Sequence, residues 1–269
     1  MSSVSNTVWN TASLTDAFRA IGLHPGDLVL VHSALRRLGP VAGGADTVID
    51  ALLAAVGPTG TVAVPTHTWK LVTSEQPVFH QTFTPSHVGA LGNVLRHRAG
   101  ALRSLHPTHS VAAIGPRAAA LTSGHEQCGT PCAPTSPYGR LRDWGGKILI
   151  IGADLACCTF FHGCEEWAGM PWANTPEPVQ MISLASDGRT IAVPVRHPYV
   201  NTWDRYPELE PHLLAAGAMR LTQHGAHLGA HLGVQLGACP LRLLDARMAA
   251  DWLIARLHQN PELLLPPKA

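Results

Sequence analysis

Apolar positions along the chain fall into two kinds of pattern. Five short runs, Leu28–His32, Gly60–Thr66, Ser110–Ile114, Lys147–Ile151 and Leu241–Leu244, are apolar nearly throughout and lie beside glycine or proline. Runs of that length, so bounded, predict strands buried on both faces. Helical spacing covers residues 11–22, ended by Gly22, and Asp46–Val56, stopped by Gly57-Pro58. It returns over 87–98, Thr159–Trp167 and Ala246–Leu257. Residues 179–184 and 190–197 predict a hairpin about Asp187-Gly188. Residues 67–85 lack periodicity, and 123–137, with two glycines and three prolines, predict a long loop. The order strand, glycine-rich loop, helix, strand over 28–66 predicts a right-handed βαβ unit. No linker divides the chain, so the expectation is one α/β domain over residues 1–269.

Composition narrows the function classes. The 46% hydrophobic and 14% charged content excludes a disordered, highly charged chain. With 19 basic against 18 acidic side chains and no basic run longer than Arg36-Arg37, a nucleic-acid partner is not expected. No apolar run approaches the roughly 20 residues of a membrane helix, and no secretory leader is read at the start, so the expectation is a cytoplasmic protein without a membrane partner. The six cysteines form no pair of CxxC motifs and read as reduced thiols.

The candidate chemistry is histidine chemistry, with 16 dispersed histidines. His32-Ser33, Thr66-His67-Thr68 and His106–Ser110 fall at or beside predicted strand ends, where ligands collect in open α/β sheets. His162 opens the helix after the Lys147–Ile151 strand, and Glu165 shares its face three residues on. A carboxylate there would orient the imidazole and raise its basicity, although such pairs also decorate ordinary helix surfaces. Other readings stay open on spacing alone. Ser33 and Ser110 are possible hydrolase nucleophiles, but neither sits in a GxSxG elbow. Cys164 falls on a different helix face from His162. His224, His227 and His231 have i, i+3, i+7 spacing that would suit a metal-binding module, were Gly225, Gly229 and Gly233 not against a helix.

The order of motifs adds to this reading. GDLVLVHSALRRLGPVAGGADTVIDALLAAVGPTGTV at 26–62, LRSLHPTHSVAAIGPRA at 102–118, SPYGRLRDWGGKILIIGADL at 136–155, FHGCEEWAGMP at 161–171 and LLDAR at 243–247 resemble the aminoglycoside N(3)-acetyltransferase family. The resemblance runs from about residue 16 to 257. It implies a central mixed sheet flanked by helices, acetyl-CoA as donor, and an aminoglycoside amine as acceptor. It implies no metal, and it leaves a homo-oligomer open. By position His162 is the implied base, with Glu165 orienting it or binding an acceptor ammonium; His32 and His106 also match family histidines. The pantetheine is expected at Ser33, Ala34 and Leu35 and at Ser110 and Val111, with Arg36, Arg37, Gly43 and Gly44 beside the phosphates. Asp154, Glu166 and Asp204 are the acidic residues expected near the acceptor. One departure stands out. Where the family commonly reads GEGSP, this chain has APTSP at 133–137, so Pro134 replaces a carboxylate.

Overall fold

The computed structural model describes residues 8–222 and 239–266. The strands are β1 (Leu28–Ser33), β2 (Thr61–Pro65), β3 (Val78–His80), β4 (Leu102–Arg103), β5 (Val111–Ile114), β6 (Lys147–Ile151), β7 (Val179–Leu184), β8 (Thr190–Val195), β9 (Met219–Leu221) and β10 (Leu241–Asp245). The helices are α1 (Thr11–Ile21), α2 (Ala45–Val56), α3 (Ala90–Leu95), α4 (Ala118–Thr122), α5 (Pro137–Asp143), α6 (Phe160–Trp167), α7 (Glu210–Ala215) and α8 (Ala246–Gln259).

Seven strands form a mixed central sheet in the order β4-β5-β2-β1-β6-β10-β9. β2, β1 and β6 run parallel at its centre, and the outer pairings are antiparallel. The apolar runs follow from burial on both faces. Leu28, Leu30, Ile148 and Ile150 pack with Phe160, Phe161 and Leu253 on one side. Val29, Val31, Leu149 and Ile151 pack with Phe18, Ile49 and Leu52 on the other. Side chains alternate along each strand, so a single apolar run serves both cores.

The predicted hairpin forms as β7 and β8, but it does not join the main sheet. It pairs with β3 in a separate three-stranded sheet, ordered β3-β7-β8, over a small core of Val72, Phe79, Met181, Val193 and Val195. β3 falls inside the 67–85 stretch expected to be irregular. Its three residues lie just after Pro77 and are too few to show periodicity. The helix expected over 87–98 shortens to Ala90–Leu95: Gly89 precedes it at φ +98°, and beyond Arg96 the chain continues in three-residue turns, His97 N–H to the Val94 carbonyl and Arg98 N–H to the Leu95 carbonyl. The loop expected over 123–137 ends where Ser136 caps α5, accepting a hydrogen bond from the Gly139 N–H.

Arg103 joins the two sheets. Its guanidinium is buried and donates to the Thr66 carbonyl (2.9 Å), the Gln81 carbonyl (2.9 Å) and the Thr84 carbonyl (2.6 Å). It also donates to the hydroxyls of Thr66 and Ser110 and lies 4.7 Å from the Phe79 ring centroid. Desolvation lowers its pKa to about 9, yet five acceptors hold the planar fork in place. The end of β2 is thereby fixed against the loop that follows β3. Ser183 adds a second tie, donating from β7 to the Leu105 carbonyl at 2.7 Å.

Candidate active site

A cleft of about 660 Å³ opens where these constraints converge. Its floor is the C-terminal edge of the parallel strands, with Val31, His32 and Ser33 from β1 and Val64 and Pro65 from β2. Ligands in open α/β sheets bind at that edge. Thr159 and His162 close one side, and Met181, Val179 and His197 from the small sheet and its continuation close the other. Gly92 of α3 also lines it. A Cβ there would stand 2.6 Å from the Pro65 carbonyl oxygen, so only glycine lets α3 approach β2 this closely.

His162 is the best-organised group in the cleft. It projects from α6 while Phe160, Phe161 and Cys164 of the same helix enter the core. Its Nδ1 lies 3.0 Å from Glu165 Oε2 and 2.9 Å from the Tyr206 hydroxyl. That hydroxyl donates to the other carboxylate oxygen, Glu165 Oε1, at 2.7 Å. Since the Tyr206 proton is committed to Glu165, Nδ1 must carry the imidazole proton and donate it. Nε2 is left with its lone pair. The ring is thus a base held in one tautomer by two partners.

Glu165 is 1% exposed and has no Lys or Arg partner among the described residues. Tyr206 is buried, and desolvation and the adjacent carboxylate hold its pKa well above the usual phenol range, so it stays a donor. Sequence patterns do not reveal Tyr206. It lies in a 3₁₀ turn over Trp203–Leu209, 41 residues beyond Glu165, so no local spacing announces it.

The structure separates the remaining sequence candidates. His32 lines the floor, is 7% exposed, and its Nε2 has no partner among the described residues. Burial lowers its pKa to about 4, so the ring is neutral. His106 is a correction. It is fully buried and does not line the cleft; its Nδ1 accepts the backbone N–H groups of Thr108 (3.3 Å) and His109 (3.1 Å), bracketing the loop around Pro107. The cleft histidines next to that loop are His67 and His109, whose rings lie 4.7 Å apart. His67 Nε2 meets the Tyr138 hydroxyl at 2.8 Å.

Ser33 reaches the cleft, whereas the Ala34 N–H is already spent on the Ile151 carbonyl. Leu35 begins a short 3₁₀ turn that leaves Arg36 and Arg37 exposed. Gly43 (φ +80°) and Gly44 (φ +61°) form the turn into α2, whose first N–H groups have no side-chain cap. Ser110 and Val111 are corrections too. Ser110, just ahead of β5, and Val111 within it are both buried, the Ser110 hydroxyl is bound to the Thr66 carbonyl and Arg103, and neither lines the cleft.

None of Asp154, Glu166 and Asp204 lines the cleft. Asp154 caps the turn at Ala156, and Asp204 accepts from Asn201. Glu166 accepts from Thr130 and Asn174, and burial raises its pKa. All six cysteines are free, and Cys164 is buried away from His162. Among the described residues no group of His, Cys, Asp or Glu is arranged to hold a metal, and no helix is long and apolar enough to cross a membrane. His224, His227 and His231 lie outside the described residues.

The sequence profile of the aminoglycoside 3-N-acetyltransferases matches residues 30–257. The chain belongs to that family. It is 37% identical over 269 residues to the aminoglycoside N(3)-acetyltransferase VII of Streptomyces paromomycinus, covering 90% of this chain and 88% of the relative. A shorter match, 38% identical over 176 residues, is to the aminoglycoside N(3)-acetyltransferase III of Salmonella sp. It covers 59% of this chain and 61% of that relative, so the chain spans about three fifths of the length of the type III relatives it matches. Among solved structures, AAC-IIIb in its binary complex with CoASH superposes with a TM-score of 0.79 at 25% identity, over 98% of this chain and 100% of that one. The family fold and the mixed sheet expected from the sequence are therefore those observed.

Two outcomes follow from these contacts. Tyr206→Phe removes the donor to Glu165 Oε1 and leaves a buried acceptor unmet, which costs roughly 1–3 kcal/mol of stability. Urea unfolding measures it, and a change within error of zero would mean that the hydroxyl is not needed there. The second outcome concerns acid. His32, His67, His106, His109 and His125 are held neutral by burial, with His32 lowered to about 4 and His125 to about 3. The unfolded chain binds their protons first, so stability is full above about pH 6.5 and falls as pH drops towards 4. Each such histidine contributes up to about 1.4 kcal/mol per pH unit in that window. Urea midpoints at pH 7.5, 5.5 and 4.5 should decline steeply, and a flat profile would contradict neutral burial.

Proposed function

We propose that the chain is a cytoplasmic, acetyl-CoA-dependent N-acetyltransferase that acetylates aminoglycosides at the 3-amino group of the 2-deoxystreptamine ring and so confers resistance. The observation that carries this is His162, with Nδ1 tied to Glu165 and Tyr206 and its ring at the cleft wall. Family membership supplies the donor and acceptor, and a CoASH complex of a similar fold supports the donor.

The acceptor nitrogen attacks the thioester carbonyl carbon and forms a C–N bond. As it does so, His162 Nε2 takes the proton the nitrogen must lose, and the carbonyl electrons move to oxygen. The resulting imidazolium is stabilised by Glu165 through Nδ1–H. The electrons on oxygen then re-form the carbonyl as the C–S bond breaks, and the coenzyme A sulfur leaves as thiolate and takes the proton from Nε2, which returns the base to its starting form. His32 is a neutral ring at the cleft floor with an unpartnered Nε2, which would suit it to donate to the carbonyl oxygen when that nitrogen bears the proton.

For the donor, Ser33 at the floor and the turn at Leu35 would flank the pantetheine. Arg36 and Arg37 and the uncapped α2 N-terminus at Gly43-Gly44 are suited to its phosphates. No metal has a role in this scheme.

His162→Ala is expected to lower kcat by about a hundredfold to ten-thousandfold at neutral pH, the usual worth of a positioned base. Acetyl-CoA should still raise the melting temperature of the variant, and higher pH should restore part of the rate by delivering the amine already deprotonated. Thiol release against pH, with folding checked by circular dichroism, decides the matter. A folded variant with near wild-type kcat would transfer the role of base to another group.

A further inference from the structure

A second imidazole of the cleft, besides His162, has its tautomer fixed by a buried tyrosine. Tyr138 lies on α5, fully buried in the core that holds Phe160 and Phe161, and burial keeps its pKa well above the usual phenol range. It therefore keeps its proton, and a buried hydroxyl must place that proton on an acceptor. Its one partner among the described residues is His67 Nε2, at 2.8 Å. Nε2 thus accepts. Burial keeps the His67 ring neutral, so the ring proton sits on Nδ1. Nδ1 has no partner among the described residues, and the ring lines the cleft. The polarity is the reverse of that at His162, where the nitrogen left open is a bare Nε2.

The backbone around His67 is pinned on both sides. The Thr66 N–H donates to the Ser110 carbonyl and the Thr68 N–H to the Thr108 carbonyl, both at 2.8 Å, while the His67 carbonyl accepts the His87 N–H at 3.0 Å. The strand order also sets where the ring stands. β2, β1 and β6 are neighbours, so His67, two residues beyond β2, lies on one side of β1, and the strand that leads into α6 lies on the other, with His32 between them. Adjacent strands are about 4.8 Å apart, so the exits of β2 and β6 are about 10 Å apart. That span has room for a thioester carbonyl and an attacking nitrogen between a donor and a base. A charge on His162 or on His32 would be felt at His67. His32, with no partner at Nε2, lacks the hydrogen bond there that fixes the proton of His67.

We infer that His67 is the standing hydrogen-bond donor to the thioester carbonyl oxygen, with Tyr138 as the positioning residue that keeps its proton on Nδ1. This rests on the acetyl-transfer reading above and adds a catalytic residue to it. The oxygen gains charge as the C–N bond forms and gives it back as the C–S bond breaks, and His67 keeps its proton throughout. A neutral N–H suits this place. A lysine or arginine there would also stabilise the oxyanion, but its charge would lower the basicity of His162.

The test begins with the free wild-type protein. ¹⁵N NMR of the histidine-labelled chain, with the His67 signals assigned by their loss in His67→Asn, should show Nδ1 protonated and Nε2 as the lone-pair nitrogen. In Tyr138→Phe the Nε2 signal should move further from the protonated range, because its hydrogen bond is gone. Coenzyme A release at saturating acetyl-CoA then tests the donor role. His67→Ala should lower kcat by about a hundredfold to a thousandfold, the usual worth of one such donor. The KM for the aminoglycoside should stay nearly unchanged, as expected for a contact made in the transition state. His67→Asn, whose amide N–H falls near the place of Nδ1, should recover part of the lost rate. Circular dichroism checks that the variants fold, and the wild-type spectrum decides the tautomer whether or not they do. A wild-type His67 protonated on Nε2 overturns the inference. So does a folded His67→Ala with near wild-type kcat, or one whose loss is confined to KM; acetyl transfer stands in each case. A wild-type protein that releases no coenzyme A with any aminoglycoside or simple amine overturns acetyl transfer itself.

Discussion

A carboxylate that is 1% exposed and has no cationic side chain beside it would ordinarily be among the most costly groups a protein could bury. Glu165 is in that position, and the site is built around making it tolerable. Its two oxygens receive two donors, the Tyr206 hydroxyl and the His162 N–H. Once both are committed, the imidazole tautomer is no longer free, and its lone pair is directed from Nε2. The group that makes the buried charge acceptable is thereby the group made reactive. The two aromatic neighbours of His162 on α6, Phe160 and Phe161, pack in the main core, and Phe161 sits edge-on to Tyr206 at 5.1 Å. Packing and hydrogen bonding therefore hold the same three residues.

The rest of the cleft follows a second rule, that polar groups near it are buried neutral or fully bracketed. Arg103 is the exception in charge but not in satisfaction, since five acceptors surround its guanidinium. It fixes the end of β2 to the loop beyond β3, so the two sheets meet along the cleft instead of sliding past each other. His125 continues the pattern in the interior. Its Nε2 meets the Pro131 carbonyl and its Nδ1 the Ser104 hydroxyl, which in turn accepts the Val111 N–H. These imidazoles give rigidity without charge.

The main sheet was legible in the sequence because its strands are buried on both faces, and an uninterrupted apolar run as short as Lys147–Ile151 fits a buried strand better than a helix. Helix α2 and helix α8 were legible because each is apolar at helical spacing. The small sheet was not. β3 has three residues, as does β9 at the edge of the main sheet, so neither completes a period that could be recognised. For β3, pairing with a strand about a hundred residues away decides the matter. Of the site, His162 and Glu165 were legible through i, i+3 spacing and family order. Tyr206 was not, because the chain brings it back over 41 residues. His106 and Ser110 looked like site residues from their place near strand ends, but a strand end fixes position and not side-chain direction. Those two point into the structure, and His67 and His109 point into the cleft.

The proposed reaction turns on the place of one proton, which the hydrogen bonds to Glu165 and Tyr206 put on Nδ1 of His162, leaving Nε2 bare. ¹⁵N NMR of the histidine-labelled protein reads this directly, since protonated and lone-pair ring nitrogens differ widely in shift, with the His162 signals assigned by their loss in His162→Gln. The expected result is that the neutral form of His162 carries its proton on Nδ1, and that the tautomer population changes in Tyr206→Phe or Glu165→Gln. A His162 protonated on Nε2 in the wild-type protein, with Nδ1 as the lone-pair nitrogen, would contradict it.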